Sequence, residues 1–469
     1  HKDTAPILDK FQMFDVYSSA WFSAIYLLLF ISLIGCVLPR TKHHIEALRA
    51  QPPVTPANLV RLPAYAKLSI TGKSAEEVLE AAKSVLKADR YRVARYDRAA
   101  GGKGKLKTEA AITVSAERGY MRETGNLIFH FALVGVLIAV GFGGGFGFAG
   151  QRAIYEGQTF TNSLIAFDSF NPGRFFDSAT LPPYTITLDK FTAVYEEQNT
   201  NAIGQPVDYT ADVTTQIKGE KPQKQTIKVN EPLRIDGTDV YLLGNGYAPT
   251  VTIRDPEGNV IFTDSVEFLP QDKNLTSLGV IKLPDGLSEQ LGLIGFLYPT
   301  VSTGHSGASF SMYPDLIDPQ LAFDVYSGDL GLDDGVPRSV FALDTKSMTK
   351  LAGRNSPLEA IELKPGETAE LPNGLGTVTF DGVKRFVSLD IHRDPTQGWV
   401  LVFALTALAG LLISLFIPRR RMWVSVTENS DGSVTAECAG LARGDDPTLE
   451  GAVNSLKDKL ERALGLTRD

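Results

Sequence analysis

The chain has 469 residues, which is long enough for two or three domains. It carries 46 basic and 54 acidic residues, a formal net charge of −8, and nucleic acid is not among the partners that we expect. Its only cysteines are Cys36 and Cys438, and no CxxCH sequence occurs. The chain is therefore neither a disulfide-rich scaffold nor itself a c-type cytochrome.

Three apolar runs along the chain are long enough to cross a membrane. Each exceeds the roughly 18 residues that a spanning helix needs, and none has a continuous polar stripe of the kind that a soluble amphipathic helix shows. The runs cover residues 17–38, 124–148 and 398–418, and His130 is the one histidine, lysine, arginine, aspartate or glutamate within them. We predict transmembrane helices over residues 17–39, 122–148 and 398–418.

Basic residues predict the orientation of these helices. Lysines and arginines follow the first span, precede the second and follow the third, and such clusters favour the cytoplasmic side. Residues 1–16 are then an extracytoplasmic stub, and we expect a further span to precede them. The prediction is a multi-pass protein of the cell membrane, with residues 40–121 and 419–469 inside and a large domain, residues 149–397, outside.

The two cytoplasmic segments have mixed patterns. In residues 40–121, Ser74 and Glu77 have the spacing of a capping box at the start of an amphipathic helix, and alternating segments on either side predict strands of a small α+β module. The 419–469 tail has two strand patterns around a DG turn and then a helix with one apolar face, formed by Leu449, Val453, Leu456, Leu460 and Leu464. We expect the tail to pack on the 40–121 module, since neither piece alone buries much core.

Residues 149–397 alternate apolar and polar side chains in many short segments. TITLDKFTAVY, ADVTTQI and TVTIRD are examples, and Gly, Pro, Asn and Asp separate them. This pattern predicts an antiparallel β domain, either a sandwich or an open barrel. Residues 286–318 are richer in Gly, Pro and Ser, and we predict a long loop there.

His130 is the residue that the pattern singles out for chemistry, because an ionisable group inside a span is costly and faces a cavity or a partner. Arg122, Asn126 and His130 are spaced four apart and share one helix face. Imidazole ligates haem iron, and an arginine can pair with a propionate. From the residues alone, a haem ligand, a proton relay and a structural hydrogen bond stand as equal alternatives.

No other catalytic signature is visible in the sequence. A nucleophile motif, a P-loop, a dinucleotide fingerprint and HExxH are all lacking. We expect four further histidines to be surface or interfacial residues without a ligand role; they are His43, His44, His305 and His392.

Three features resemble the ResB (CcsB-type) family of system II cytochrome c biogenesis. The second span opens with RETGNLIFH, the outer domain contains IKVNEPLRIDGTDVYLLGNGY, and the chain closes with DPTQGW, an apolar span and RRRMW. Their order and the topology resemble the family over nearly the whole chain.

The resemblance implies a haem-handling role. The cofactor would be haem b, with His130 as one axial ligand and the second ligand supplied by a ResC (CcsA-type) membrane partner. The pair would take haem across the lipid bilayer and attach it to CxxCH of apocytochrome c. This chain would be the non-catalytic half of a holocytochrome c synthase (haem lyase), with Arg122 and Asn126 beside the haem.

Two other functions remain as alternatives. In the first, the chain is a non-enzymatic membrane-anchored scaffold or sensor, its outer β domain binds a partner, and His130 is structural. The second is a transporter with a proton relay. It is disfavoured by the three spans, the lack of a repeat and the few intramembrane polar residues.

Overall fold

The computed structural model describes residues 4–99, 110–304, 308–332 and 339–466. The chain forms two compact units. One consists of His1–Gly141 and Thr396–Asp469, and the other of Phe142–Pro395. We refer to them as the helical unit and the β unit.

The described residues form six α-helices: α1 Ala5–Lys10, α2 Ala20–Arg49, α3 Ala75–Ala88, α4 Met121–Phe146, α5 Gln397–Phe416 and α6 Leu449–Ala463. Three of these, α2, α4 and α5, are long and apolar enough to cross a membrane. Helix α2 begins after Ser19, whose hydroxyl accepts a hydrogen bond from the Phe22 backbone, and it continues ten residues past the predicted end at residue 39. A helix does not have to end where a bilayer does, and the added turns are polar.

The described strands are numbered in chain order. They are β1 Ala64–Ile70, β2 Arg92–Arg98, β3 Ala111–Arg118, β4 Phe148–Tyr155, β5 Thr159–Thr161, β6 Ser169–Pro172, β7 Tyr184–Tyr195, β8 Pro206–Ile217, β9 Gln223–Lys228, β10 Leu233–Ile235, β11 Thr238–Arg254, β12 Val260–Ser265, β13 Leu269–Pro270, β14 Ser277–Leu283, β15 Leu291–Tyr298, β16 Val301–Thr303, β17 Ser309–Ser311, β18 Gln320–Ser327, β19 Thr349–Ala352, β20 Ile361–Leu363, β21 Thr368–Glu370, β22 Thr377–Arg393, β23 Arg420–Glu428 and β24 Val434–Ala442.

The helical unit contains an antiparallel sheet that joins distant parts of the chain. Its strand order is β1-β24-β23-β3-β2, so the two C-terminal strands lie between strands from residues 64–118. Helices α3 and α6 bury their apolar sides in one shared core with this sheet. The predicted capping box is confirmed, because Ser74 and Glu77 each bond the other's backbone N–H.

The β unit is antiparallel throughout its described strands. A seven-stranded sheet has the order β10-β11-β22-β4-β6, with β12 on β11 and β21 on β22. A six-stranded sheet (β13-β14-β15-β18-β19, with β20 on β18), a four-stranded sheet (β5-β7-β8-β9) and the pair β16-β17 complete it. The prediction of a large antiparallel β domain is confirmed.

Strands β11 and β22 pair along almost their whole lengths and connect two separate cores. At one end, Val240 and Leu389 pack with the four-stranded sheet. At the other end, Ile253 and Phe380 pack with the six-stranded sheet. The β unit therefore has two hydrophobic cores, and the paired strands β11 and β22 contribute side chains to both.

The predicted loop over residues 286–318 is wrong. Strand β15 lies within it and pairs with β14 and β18 in the six-stranded sheet. Gly295, one of the glycines that suggested a loop, is a packing position, since a Cβ there would lie 2.5 Å from the ring of Phe268. The missing side chain makes room for a fully buried phenylalanine that is distant in sequence.

Candidate functional site

Helices α4 and α5 approach each other through glycine. A Cβ on Gly410 would lie 2.6 Å from the Phe129 backbone nitrogen, and one on Gly125 would lie 2.7 Å from the Gly410 carbonyl oxygen. Closer to the C-terminus of α4, a Cβ on Gly135 would lie 2.5 Å from the ring of Phe403. Such close backbone contact is how helices pack where lipid gives no hydrophobic driving force.

His130 lies on the opposite side of α4 from this contact. Gly125 and Gly135 are each five residues away from it, which turns them about 140° around the helix in opposite directions. The α5 contact is therefore centred opposite the imidazole. His130 is half-buried, and its ring meets that of Phe129 edge-on with centroids 5.1 Å apart.

The hydrogen bond of His130 determines which ring nitrogen is free. Nδ1 lies 2.7 Å from the backbone carbonyl oxygen of Asn126. A carbonyl oxygen can only accept, so Nδ1 carries the hydrogen and Nε2 keeps its lone pair. A backbone carbonyl on the second nitrogen is the usual way in which a metal-ligating histidine is oriented. Within the described residues, no hydrogen bond to Nε2 is found.

The two predicted companions of His130 are placed differently from each other. Asn126 contacts His130 through its backbone oxygen. Arg122 lies about 12 Å further down the helix, and its guanidinium donates to the Arg443 carbonyl. Within the described part of the chain Arg122 has no ion pair with a carboxylate, and the neighbouring Glu123 pairs with Arg419 and Arg443 instead. Helix α4 is continuous from Arg122 to His130.

The other histidines divide into exposed and buried residues. His43 is exposed, 3.4 Å from Glu46, and His392 pairs with Asp390 at 2.6 Å. His305 lies outside the described residues. His44 is only 8% exposed, so the prediction of a surface or interfacial position is wrong for it. Helix α2 continues past residue 39 and brings His44 against Thr124 of α4, with Nε2 and Oγ1 2.9 Å apart.

The donor set around His130 fits a haem iron but lacks one ligand. One imidazole nitrogen has no hydrogen bond among the described residues, and the other is held by a carbonyl. Arg122, whose guanidinium donates to the Arg443 carbonyl, lies about two turns away on the same helix. Groups of three or more His, Cys, Asp and Glu that could hold a metal ion are not found among the described residues.

Comparison with known proteins assigns the chain to a family. The family model described as ResB-like matches residues 1–454, nearly the whole chain. The chain belongs to the ResB-like family. The family resemblance predicted from the sequence is confirmed.

Curated relatives carry a name consistent with this family. The protein named cytochrome c biogenesis protein CcsB from Synechococcus sp. (strain WH7803) is 28% identical over 233 residues, covering 49% of this chain and 46% of the relative. The protein of the same name from Picosynechococcus sp. is 24% identical over 227 residues, covering 48% of this chain and 43% of the relative. The matched part spans about half the length of these relatives.

Proposed function

We propose that this protein is the haem-handling subunit of a system II cytochrome c synthase. It would bind haem b in the membrane and support its export and its attachment to CxxCH of apocytochrome c, together with a ResC/CcsA-type partner. Membership of the ResB-like family and relatives named for cytochrome c biogenesis support this role. The three helices long enough to cross a membrane support a multi-pass protein of the cell membrane.

The observation that carries the proposal is the free Nε2 of His130. An apolar helix is a costly place for an imidazole, and this one is pre-oriented by the Asn126 carbonyl with its lone pair unused. Haem would supply an iron for this nitrogen and the vinyl groups to which the thiols of an apocytochrome add. The residues of this chain would orient this ligand, and the partner would supply the second one.

Arg122, the β unit and the partner would each have a different role. Arg122 would hold a propionate at the end of α4, where its guanidinium has unused N–H groups. The β unit, which we propose is extracytoplasmic, would support or shield the outer site, and the partner would present reduced haem to the apocytochrome.

Spectroscopy of the purified complex tests this proposal. We expect the complex of the chain with its membrane partner to show haem absorbance, and His130→Ala to abolish or greatly reduce it because iron loses an axial ligand. His43→Ala is the matched control, since His43 is exposed. Absorbance that survives His130→Ala unchanged would contradict the ligand assignment, and a wild-type complex without haem would favour a scaffold or sensor.

Arg122 and His130 should differ in their effects. We expect Arg122→Ala to weaken haem retention less than His130→Ala does, because a propionate ion pair supplements the iron–nitrogen bond. Titration of haem from the complex into apomyoglobin measures retention. An equal or greater loss with Arg122→Ala would make the arginine the primary anchor.

A further inference from the structure

Helix α2 is hydrogen-bonded to α4 at two places that flank His130. Near one end of α4, His44 contacts Thr124, six residues before His130. Toward the other end, the Tyr26 hydroxyl donates to the backbone carbonyl of Leu137, seven residues after it. The imidazole thus lies about 9 Å and 10 Å along the helix from the two bonds.

The first bond uses one of the two ring nitrogens of His44. Nε2 and the Thr124 hydroxyl oxygen are 2.9 Å apart, and either atom can be the donor. His44 Nδ1 is buried and has no hydrogen-bond partner among the described residues.

Packing alone does not explain an imidazole at residue 44. A buried polar nitrogen without a partner costs stability, and an apolar side chain of similar size would avoid that cost. What the imidazole provides, and an apolar residue would not, is the bond to Thr124. A polar bond between helices is a strong way to fix their register where the surroundings are apolar.

The second bond fixes a different part of the same helix. Leu137 and Gly141 lie within about 20° of the His130 direction around α4, and the Tyr26 hydroxyl would be 3.5 Å from a Cβ on Gly141. Helix α2 thus approaches α4 on the His130 side at this level. The α5 contact, on the opposite side, is made mainly by glycines and apolar side chains, with one hydrogen bond from the Thr396 hydroxyl to the Ala139 carbonyl.

We propose that His44 and Tyr26 are positioning residues for His130. Their two bonds set the height and rotation of α4 against α2, and so the direction in which His130 Nε2 points. A metal ligand has to be held within about 0.5 Å and 10–20° of its productive geometry. This inference rests on the proposed function, because it concerns the haem ligand.

The test compares variants in the purified complex with the membrane partner. His44→Leu, Thr124→Val and Tyr26→Phe each remove one hydrogen bond, whereas His44→Gln and Thr124→Ser keep a donor or an acceptor. His43→Leu is the matched control on the neighbouring exposed residue. Each variant is assayed for haem per folded complex, electron paramagnetic resonance g-values and midpoint potential, after gel filtration has established that the complex is intact.

We expect the three bond-deleting variants to retain haem about three- to tenfold less tightly, with shifted g-values and potential, because the imidazole is misaligned. His44→Gln, Thr124→Ser and His43→Leu should remain close to wild type. The double variant His44→Leu with Thr124→Val should reduce haem retention no more than either single substitution does, since both remove the same hydrogen bond.

Two results would overturn the positioning role while leaving the proposed function intact. The first is that His130→Ala loses haem, whereas all three bond-deleting variants keep the wild-type g-values and midpoint potential. The other is haem loss that only follows the loss of intact complex, which would make the bonds merely structural. A wild-type complex without haem would overturn the proposed function itself.

Discussion

Glu117 connects the segments next to two of the apolar helices. It lies on β3, just before α4, and its Oε1 accepts hydrogen bonds of 3.0 Å from Arg419, just after α5, and from Arg421 on β23. Tyr120 donates to Oε2 at 2.9 Å. The Glu117 side chain is only 4% exposed, so this carboxylate is a buried ion-pair centre rather than a surface bridge. The arginines from which the sequence predicted the membrane orientation therefore also connect the segment after α5 to β3.

The Glu117 ion pairs should make stability depend on pH. Burial alone would raise the pKa of Glu117, but hydrogen bonds from Arg421 and Tyr120 and the charge of Arg419 hold it below its ordinary value. A lowered folded-state pKa means that this stabilisation is complete above the unfolded-state pKa and is lost as pH falls through the folded one.

We expect Glu117→Gln to destabilise the chain by about 3 kcal/mol at pH 7, because it leaves the largely buried Arg419 with only its longer, 3.8 Å ion pair to Glu123. Thermal unfolding in detergent across a pH series measures the effect, and the difference from wild type should shrink below pH ~4. Glu428→Gln, at an exposed position on the same sheet, is the control. A difference that stays constant down to pH 3 would contradict the role of the carboxylate charge.

At the scale of elements, α4 has two distinct sides. Glycines bring α5 against one side, and this leaves His130 on the other. Helix α2 approaches the His130 side of α4 at the level of Leu137, where the Tyr26 hydroxyl donates to the backbone carbonyl. The imidazole thus lies on the side of α4 that faces away from α5.

The close contact between α4 and α5 at their glycines can be tested with two matched substitutions in α5. We expect Gly410→Ala to destabilise the chain by about 1–3 kcal/mol, because its Cβ would overlap backbone atoms of Phe129 and Gly125. Gly398→Ala is the control, since a Cβ there meets nothing within 4 Å and alanine favours a helix. The unfolding temperature of the detergent-purified chain reports both, and equal values for the two variants would rule out so close a crossing.

For the whole molecule, the predicted topology places residues 149–397 and 419–469 on opposite sides of the membrane. Two exposed turn residues test it, Glu257 between β11 and β12 and Ser430 between β23 and β24. In a chain with Cys36 and Cys438 replaced by alanine, Glu257→Cys should react with a membrane-impermeant maleimide in intact cells. Ser430→Cys should react only after permeabilisation, because the bilayer shields it. The reverse pattern would invert the orientation.

Features of local periodicity were predictable from the sequence by itself. Uninterrupted apolar runs indicated the three long helices, the Ser74–Glu77 spacing indicated the capping box, and alternation indicated antiparallel strands in residues 149–397. Each of these depends on neighbours within a few residues, or on the solvent that a face meets. The family resemblance depended in the same way on short motifs in a fixed order.

Only the tertiary structure decided features that depend on distant residues. Gly295 belongs to a buried strand because Phe268 occupies the space beside it. His44 is buried because α2 continues far enough to meet Thr124. The sequence alone identified His130 as an unusual intramembrane residue, but which side of α4 packs on α5, and so which way His130 points, is set by glycine contacts between helices more than 250 residues apart in sequence. Such contacts leave no local periodicity for a sequence pattern to reveal.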